Sequence, residues 1–288
     1  MRVLVFGKSG QVARALGRAS PPAWEMTCLD RSRADLSDPE NCARIVAEWP
    51  GDGVINAAAW TAVDKAEAEE AAARVINADA PSAMARAAAR RNLPFLHVST
   101  DYVFDGSGTA PRRETDAPAP ISAYGRTKLA GEEGVLAAGG RAAILRTSWV
   151  FSADGSNFVR TMLRLGTERD HLRIVADQIG GPTPADAIAA ALIAMLPALA
   201  SGRGPAGVFH FSGSPETSWA GFARAIFAEA GLETEVEEIP TSDYPTPARR
   251  PLNSRLDCSA LAAGYGVERP DWRPALSEVV QRLRENRT

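Results

Sequence analysis

Over the first half of the chain, short apolar runs alternate with helical stretches, and no other feature restricts the fold as much. Residues 3–6, 26–29, 53–56, 95–98 and 142–145 are strand-like and nearly continuous in apolar character. Between them, residues 10–18, 41–49, 71–91 and 124–137 read as helices. Strands that are apolar on both sides must be covered on both faces, the environment of a parallel sheet between helix layers. Right-handed crossovers make this a doubly wound, Rossmann-like α/β fold. After about residue 151 the character changes. Helices dominate (157–165, 186–196, 219–230), with short strands at 173–175 and 208–211 and a proline-rich ordered loop at 240–251. The pattern predicts a nucleotide-binding region over 1–150 and a smaller lobe over 151–288, with some segments returning to the first sheet. A ligand should sit at the carboxyl ends of the strands.

Composition excludes several classes. A net charge of −3, from 32 basic and 35 acidic residues, leaves no basic surplus for nucleic acid. The longest apolar run, 187–200, is too short to span a bilayer and contains Pro197. The first residues lead into a strand without a signal-peptide pattern, so no membrane association and a cytoplasmic location are expected. Cys28, Cys42 and Cys258 form no CxxC pair, which argues against both disulfides and zinc. One bias is more informative: of the basic residues only Lys8, Lys65 and Lys128 are lysines. A compact ammonium has a geometry that arginine cannot copy, so these positions invite inspection.

The Gly7-Lys8-Ser9-Gly10-Gln11-Val12-Ala13 turn follows the first strand and opens the first helix. Its spacing lets backbone approach a pyrophosphate at a helix N-terminus, with Lys8 beside it. The second strand ends in Asp30-Arg31-Ser32-Arg33. The acid suits a ribose diol and the arginines a 2′-phosphate, so these residues leave NAD and NADP both open. Asp35 and Leu36 are placed beside the adenine, and the small Ala57-Ala58-Ala59 run after the third strand leaves room for the dinucleotide.

Tyr124-Gly125-Arg126-Thr127-Lys128 sets a phenol and an ammonium one helical turn apart. A free phenol ionises near ~10. The nearby ammonium is expected to bring Tyr124 down toward neutrality, a stabilisation of the phenolate by about 4 kcal/mol. Thr100, after the fourth strand, carries a hydroxyl that can donate to the same ketone oxygen as Tyr124.

A Tyr-x-x-x-Lys helix, an upstream Thr and a Gly-x-x-Gly-x-x-Ala turn together resemble the extended short-chain dehydrogenase/reductase superfamily, and most closely its dTDP-sugar 4-ketoreductases. GKSGQV (7–12), NAAAWTAVDKAEAE (56–69), STDYVFDG (99–106), YGRTKLAGE (124–132), RTSWVF (146–151), DQIGGPT (177–183) and PDWRPAL (270–276) carry the resemblance nearly end to end, and all three lysines fall within it. It implies hydride transfer from NADPH, with NADH as an alternative, to the C4 ketone of dTDP-4-dehydro-β-L-rhamnose. By the same resemblance, Gly10, Gln11, Val12, Asp35, Leu36, Ala59, Trp60, Thr61 and Val98 contact the dinucleotide alongside Gly7, Asp30 and Arg31. Tyr124 donates the proton and Lys128 holds the nicotinamide ribose. Thr100 and Asp101 touch the sugar, and Trp149 walls its far side. Arg249 and Arg250 are candidates for clamping the substrate diphosphate.

Two alternatives stay open here. One is another nucleotide-sugar 4-ketoreductase, 4,6-dehydratase or epimerase, although Asp101-Tyr102 stands where the dehydratases have an Asp-Glu pair. The other is a non-catalytic regulatory subunit of the same fold. Some relatives dimerise through Mg²⁺ held by glutamates, one of them in the first helix. This first helix has none, so a homodimer without a metal is the expectation.

Overall fold

The computed structural model describes residues Met1–Glu285, so positions 286–288 of the second region lie outside the described residues. The elements of the first half are β1 (Arg2–Phe6), α1 (Gln11–Ala19), β2 (Glu25–Leu29), α2 (Pro39–Glu48), β3 (Gly53–Asn56), α3 (Val63–Ala68), α4 (Glu70–Arg74), a π-helical turn (Val75–Asp79), α5 (Ala80–Arg90), β4 (Phe95–Thr100), α6 (Ala123–Ala137) and β5 (Ala142–Thr147). Then follow β6 (Val150–Phe151), α7 (Phe158–Glu168), β7 (His171–Val175), β8 (Ile179–Gly180), β9 (Thr183–Pro184), α8 (Ala185–Ala200) and β10 (Gly207–His210). The chain ends with β11 (Thr217–Ser218), α9 (Trp219–Ala230), β12 (Glu235–Ile239), β13 (Asn253–Ser254), α10 (Ser259–Tyr265) and α11 (Trp272–Glu285).

Six strands form one parallel sheet in the order β10-β5-β4-β3-β1-β2. The chain runs outward from β1 to β2, then restarts on the other side with β3, so the topological switch lies between β1 and β3. A ligand crevice opens at such a point. Alternation along each strand fills both faces. Val3, Val5, Ile55, Leu96 and Leu145 meet α1 and α8 on one side; Leu4, Phe6, Val54, Phe95 and Ile144 meet α2, α5 and α6 on the other.

The expected helix over 71–91 is present as one continuous helical run, Glu70 to Arg90, that widens into the π-helical turn at Val75–Asp79. Asn77 lies in that turn and satisfies groups outside the helix. Its Oδ1 accepts the Trp60 backbone N–H at 2.8 Å, and its Nδ2 donates to the Trp60 carbonyl (3.2 Å) and to Thr127 Oγ1 (3.1 Å). The alanine-rich sequence conceals this tertiary demand. The later segments do not form a second large sheet. A three-stranded sheet β11-β8-β13 and the pairs β12-β7 and β6-β9 accompany a core of Phe151, Val159, Met162, Phe222, Ile226, Trp272 and Leu276. The loop expected over 240–251 is preceded by β12, which pairs in parallel with β7.

Candidate active site

A cavity of about 850 Å³ runs along the carboxyl ends of β1, β3, β4 and β5. Its first end is mostly backbone. Gly7 adopts φ +114°, and a Cβ there would stand 3.3 Å from the Ala13 Cβ and 3.5 Å from the Ala57 carbonyl. Only glycine takes that backbone at no cost. Gly10 caps α1 without a side-chain hydrogen bond, so the helix N-terminus faces the cavity with donors to offer. Gln11 braces the opposite rim: its Oε1 accepts from Ser152 Oγ at 3.0 Å and Asn157 Nδ2 at 2.9 Å.

The charges at the end of β2 are paired and exposed. Lys8 Nζ lies 3.3 Å from Asp30, and Arg31 Nε lies 3.1 Å from Asp35. The Ser32 hydroxyl and then Lys8 lower the Asp30 carboxyl below its ordinary range; the Ser37 backbone N–H does most of the same for Asp35. Leu36, Val12, Ala57, Ala58, Ala59, Thr61 and Val98 complete this wall. Open amides at a helix start, a glycine that admits close approach and a floor of small residues fit a dinucleotide.

The other end is built from buried side chains. Thr100, the last residue of β4, donates through Oγ1 to Asp101 Oδ1 (3.2 Å) and accepts the Tyr102 N–H (3.2 Å). Burial pushes the Asp101 carboxyl up to about 6, against the pull of the Ser254 and Thr100 hydroxyls. Asp101 Oδ2, Ser99 Oγ and Thr147 Oγ1 are buried on this wall and have no hydrogen-bond partner among the described residues.

Tyr124 enters at the start of α6, which Ser122 caps by accepting the Gly125 N–H at 3.2 Å. Gly125 permits the approach, since a Cβ there would strike the Tyr102 carbonyl oxygen. The Tyr124 ring meets Tyr102 edge-on at 5.4 Å. The expected lowering of its pKa is not what the structure shows. Burial first, and the Asp101 carboxyl after it, push Tyr124 up to about 12, eased by a hydrogen bond with Thr100. Lys128 does not reverse this because it points into the sheet. It is 1% exposed, donates to the Val98 carbonyl at 2.7 Å and lies 3.3 Å from His97 Nε2. Burial brings it down to about 8, with Glu132 opposing.

Trp149 holds φ +48° and stacks on Trp219 at 3.6 Å and 12°, both rings lining the cavity. Trp219 is a wall residue that no local motif marks. Two expected positions lie elsewhere. Trp60 is off the wall: its indole N–H donates to the Ala62 carbonyl, and Lys65 covers its ring at 5.1 Å. Arg250 is also off the wall because Asp64 engages its guanidinium at 2.8 and 3.1 Å, with Thr246 and Ala248 as further acceptors. Neither Arg249 nor Arg33 lines the cavity.

A Tyr-x-x-x-Lys pair lining a parallel-sheet dinucleotide crevice defines an extended short-chain dehydrogenase/reductase. Residues 1–285 match the family model described as RmlD substrate binding domain. The chain is 46% identical to a dTDP-4-dehydrorhamnose reductase of Burkholderia thailandensis, across 98% of this chain and 99% of that one. It is similar to the crystal structure of a dTDP-4-dehydrorhamnose reductase from Clostridium acetobutylicum, with a TM-score of 0.93, 35% identity and coverage of 99% and 100%. A Bacillus anthracis dTDP-4-dehydrorhamnose reductase in complex with NADP gives a TM-score of 0.92 at 32% identity, covering 98% and 99%. The chain belongs to the dTDP-4-dehydrorhamnose reductase family.

Proposed function

We propose that the protein reduces the C4 ketone of dTDP-4-dehydro-β-L-rhamnose to the alcohol, using NADPH and, less efficiently, NADH. The observation that carries this reading is the joining, in one cavity, of a dinucleotide-type first turn to Tyr124 and the buried Thr100 and Lys128. When bound, the reduced nicotinamide supplies the hydride.

This chain's residues do the rest. Gly7, Gly10, Gln11 and Val12 seat the pyrophosphate. Asp30, Arg31, Asp35 and Leu36 receive the adenosine half, and Ala59, Thr61 and Val98 flank the nicotinamide half. Tyr124 keeps its proton at neutral pH, as a reductase requires of its acid, and hands it to the oxygen that gains charge. Thr100 donates to the same oxygen, a stabilisation that grows as charge develops. Lys128 holds the nicotinamide ribose. Asp101 meets a sugar hydroxyl with its unpaired oxygen, and Trp149 covers the sugar face. The region from 1 to 150 acts as the cofactor half, and most of the remainder as the nucleotide-sugar half.

No helix among the described residues is long and apolar enough to cross a membrane. We place the reaction in the cytoplasm, alongside the dTDP-sugar supply, and the protein in a homodimer. Sedimentation equilibrium tests the dimer, and a monomeric mass throughout overturns it. For the reaction, NADPH oxidation should follow addition of dTDP-4-dehydrorhamnose. Equal or faster turnover of other 4-keto sugar nucleotides would move the assignment to a different reductase.

A further inference from the structure

The reductase reading accounts for Lys128 but not for the two polar side chains buried behind it. Asn56 closes β3 and His97 lies within β4; they are 0% and 1% exposed, and neither lines the cavity. Their hydrogen bonds have a direction. Asn56 Oδ1 accepts the Ala58 backbone N–H at 3.2 Å, so the Nδ2 amide faces the ring, 3.1 Å from His97 Nδ1. An amide NH₂ only donates, which makes Nδ1 the acceptor and leaves the hydrogen of a neutral imidazole on Nε2. The ring is neutral, since burial and Lys128 hold it well below the usual histidine range. Nε2 stands 3.3 Å from Lys128 Nζ, which also gives a hydrogen to the Val98 carbonyl at 2.7 Å. An Nε2–H against an ammonium sets donor against donor; against a free amine it meets a lone pair.

We propose that Asn56 and His97 form a buried donor relay whose last N–H points at Lys128 and favours its free amine while Nζ rests on the Val98 carbonyl. This is a positioning role, and it rests on the reading of Lys128 as part of the active site. Its effect is on Lys128 itself: Nζ is kept against the Val98 carbonyl and gives up its extra proton more readily than a solvated ammonium would.

The other ionisable groups around α6 do not imitate this effect. Glu132 favours the ammonium but is bidentate on Arg146 of β5, with contacts of 2.6 to 3.1 Å. Asp101, in the turn after β4, acts on Tyr124. On the outer side, Glu70 pairs with Arg126, Glu67 accepts the Ala123 N–H, and Arg74 and Asp79 are exposed.

The chain has three lysines and three histidines, so each is separately resolvable by NMR of the whole protein labelled in those residues. In wild type, one histidine should keep the Nε2–H tautomer without titrating through neutral pH, and one lysine Cε should titrate near 8. Asn56→Asp replaces the donor by an acceptor. The His97 hydrogen should move to Nδ1, and the Lys128 midpoint should rise by ~1 pH unit or more. His97→Met donates nothing and adds no charge, and should raise the midpoint as well. An Nδ1–H tautomer of His97 in wild type, or an unmoved Lys128 midpoint in both folded variants, overturns the relay. The wild-type tautomer decides the question even if a variant does not fold. A protein with the relay intact but no turnover of any 4-keto sugar nucleotide would instead overturn the reductase reading alone.

Discussion

Where the cavity meets β1 and β2, its wall is backbone and exposed ion pairs; where it meets β4 and α6, it is desolvated side chains. Lys8 and Arg31 have side chains 62% and 79% exposed, whereas Thr100, Asp101 and Lys128 are 6%, 3% and 1% exposed. Exposed pairs are screened and contribute little individually, about 0–1 kcal/mol. Buried polar groups carry large free energies and shift their ionisation. The cofactor end should therefore tolerate side-chain change, and the chemical end should not.

The largest expected effect is at the chemical end. Tyr124→Phe keeps the ring against Tyr102 but removes the proton, and kcat should fall about 10²-fold or more. NADPH affinity, read by fluorescence titration, should hardly move. Near-normal turnover would remove Tyr124 from its role. Lys128→Arg comes next, because the bulkier guanidinium must occupy the fully buried slot between His97 and the Val98 carbonyl. Misplacement of a positioning group should lower kcat/KM by about 10²-fold, and an active arginine variant would show that the slot does not discriminate.

Asp101→Asn probes the same end through stability. The folded carboxyl sits near 6, above its unfolded value, so its contribution is fully present below about pH 4 and is lost as pH rises through 6. Relative to wild type, the asparagine variant should gain up to about 3 kcal/mol above pH 6 and lose that advantage near pH 4. Thermal melts at the two pH values measure it, and a pH-independent difference would mean that the carboxyl is not desolvated.

Trp219→Ala should loosen Trp149 and raise KM for the sugar nucleotide about 2- to 10-fold, the range of an aromatic pair. The KM for NADPH should stay fixed; a rise in the latter would place the stack against the cofactor. The smallest effect belongs to the cofactor end. Arg31→Ala combined with Arg33→Ala should shift the ratio of kcat/KM values toward NADH by no more than about 5-fold. A change of several orders of magnitude would erase the contrast between the two ends.

The sequence made the sheet legible because each buried parallel strand is a continuous apolar run, and it made Tyr124 and Lys128 legible because one helical turn fixes their spacing. Groups whose roles depend on remote partners were hidden. Trp219 lies 70 positions from the Trp149 it stacks on. Arg250 reads as a phosphate ligand until α3 brings Asp64 to it. The ionisation of Tyr124 is hidden from the sequence for a related reason. Spacing puts the phenol and ammonium on one helix, but only the tertiary structure turns Nζ into the sheet and encloses the phenol beside Asp101.

The sixth strand has a consequence for how this polypeptide can be cut. β10 comes from beyond residue 200, yet it pairs with β5, and α8 lays Ile188, Leu192, Met195 and Leu196 on Val3, Val5 and Leu16 of the first elements. A fragment ending at residue 150 would carry the nucleotide turn and the Tyr-Lys pair, but it would bare one edge of the sheet and one apolar face. Unpaired edges of that kind recruit other chains. Such a fragment should precipitate, so the chain becomes competent only when translation has passed residue 210, and a protease cut in the 201–206 turn should be tolerated only while both pieces stay together.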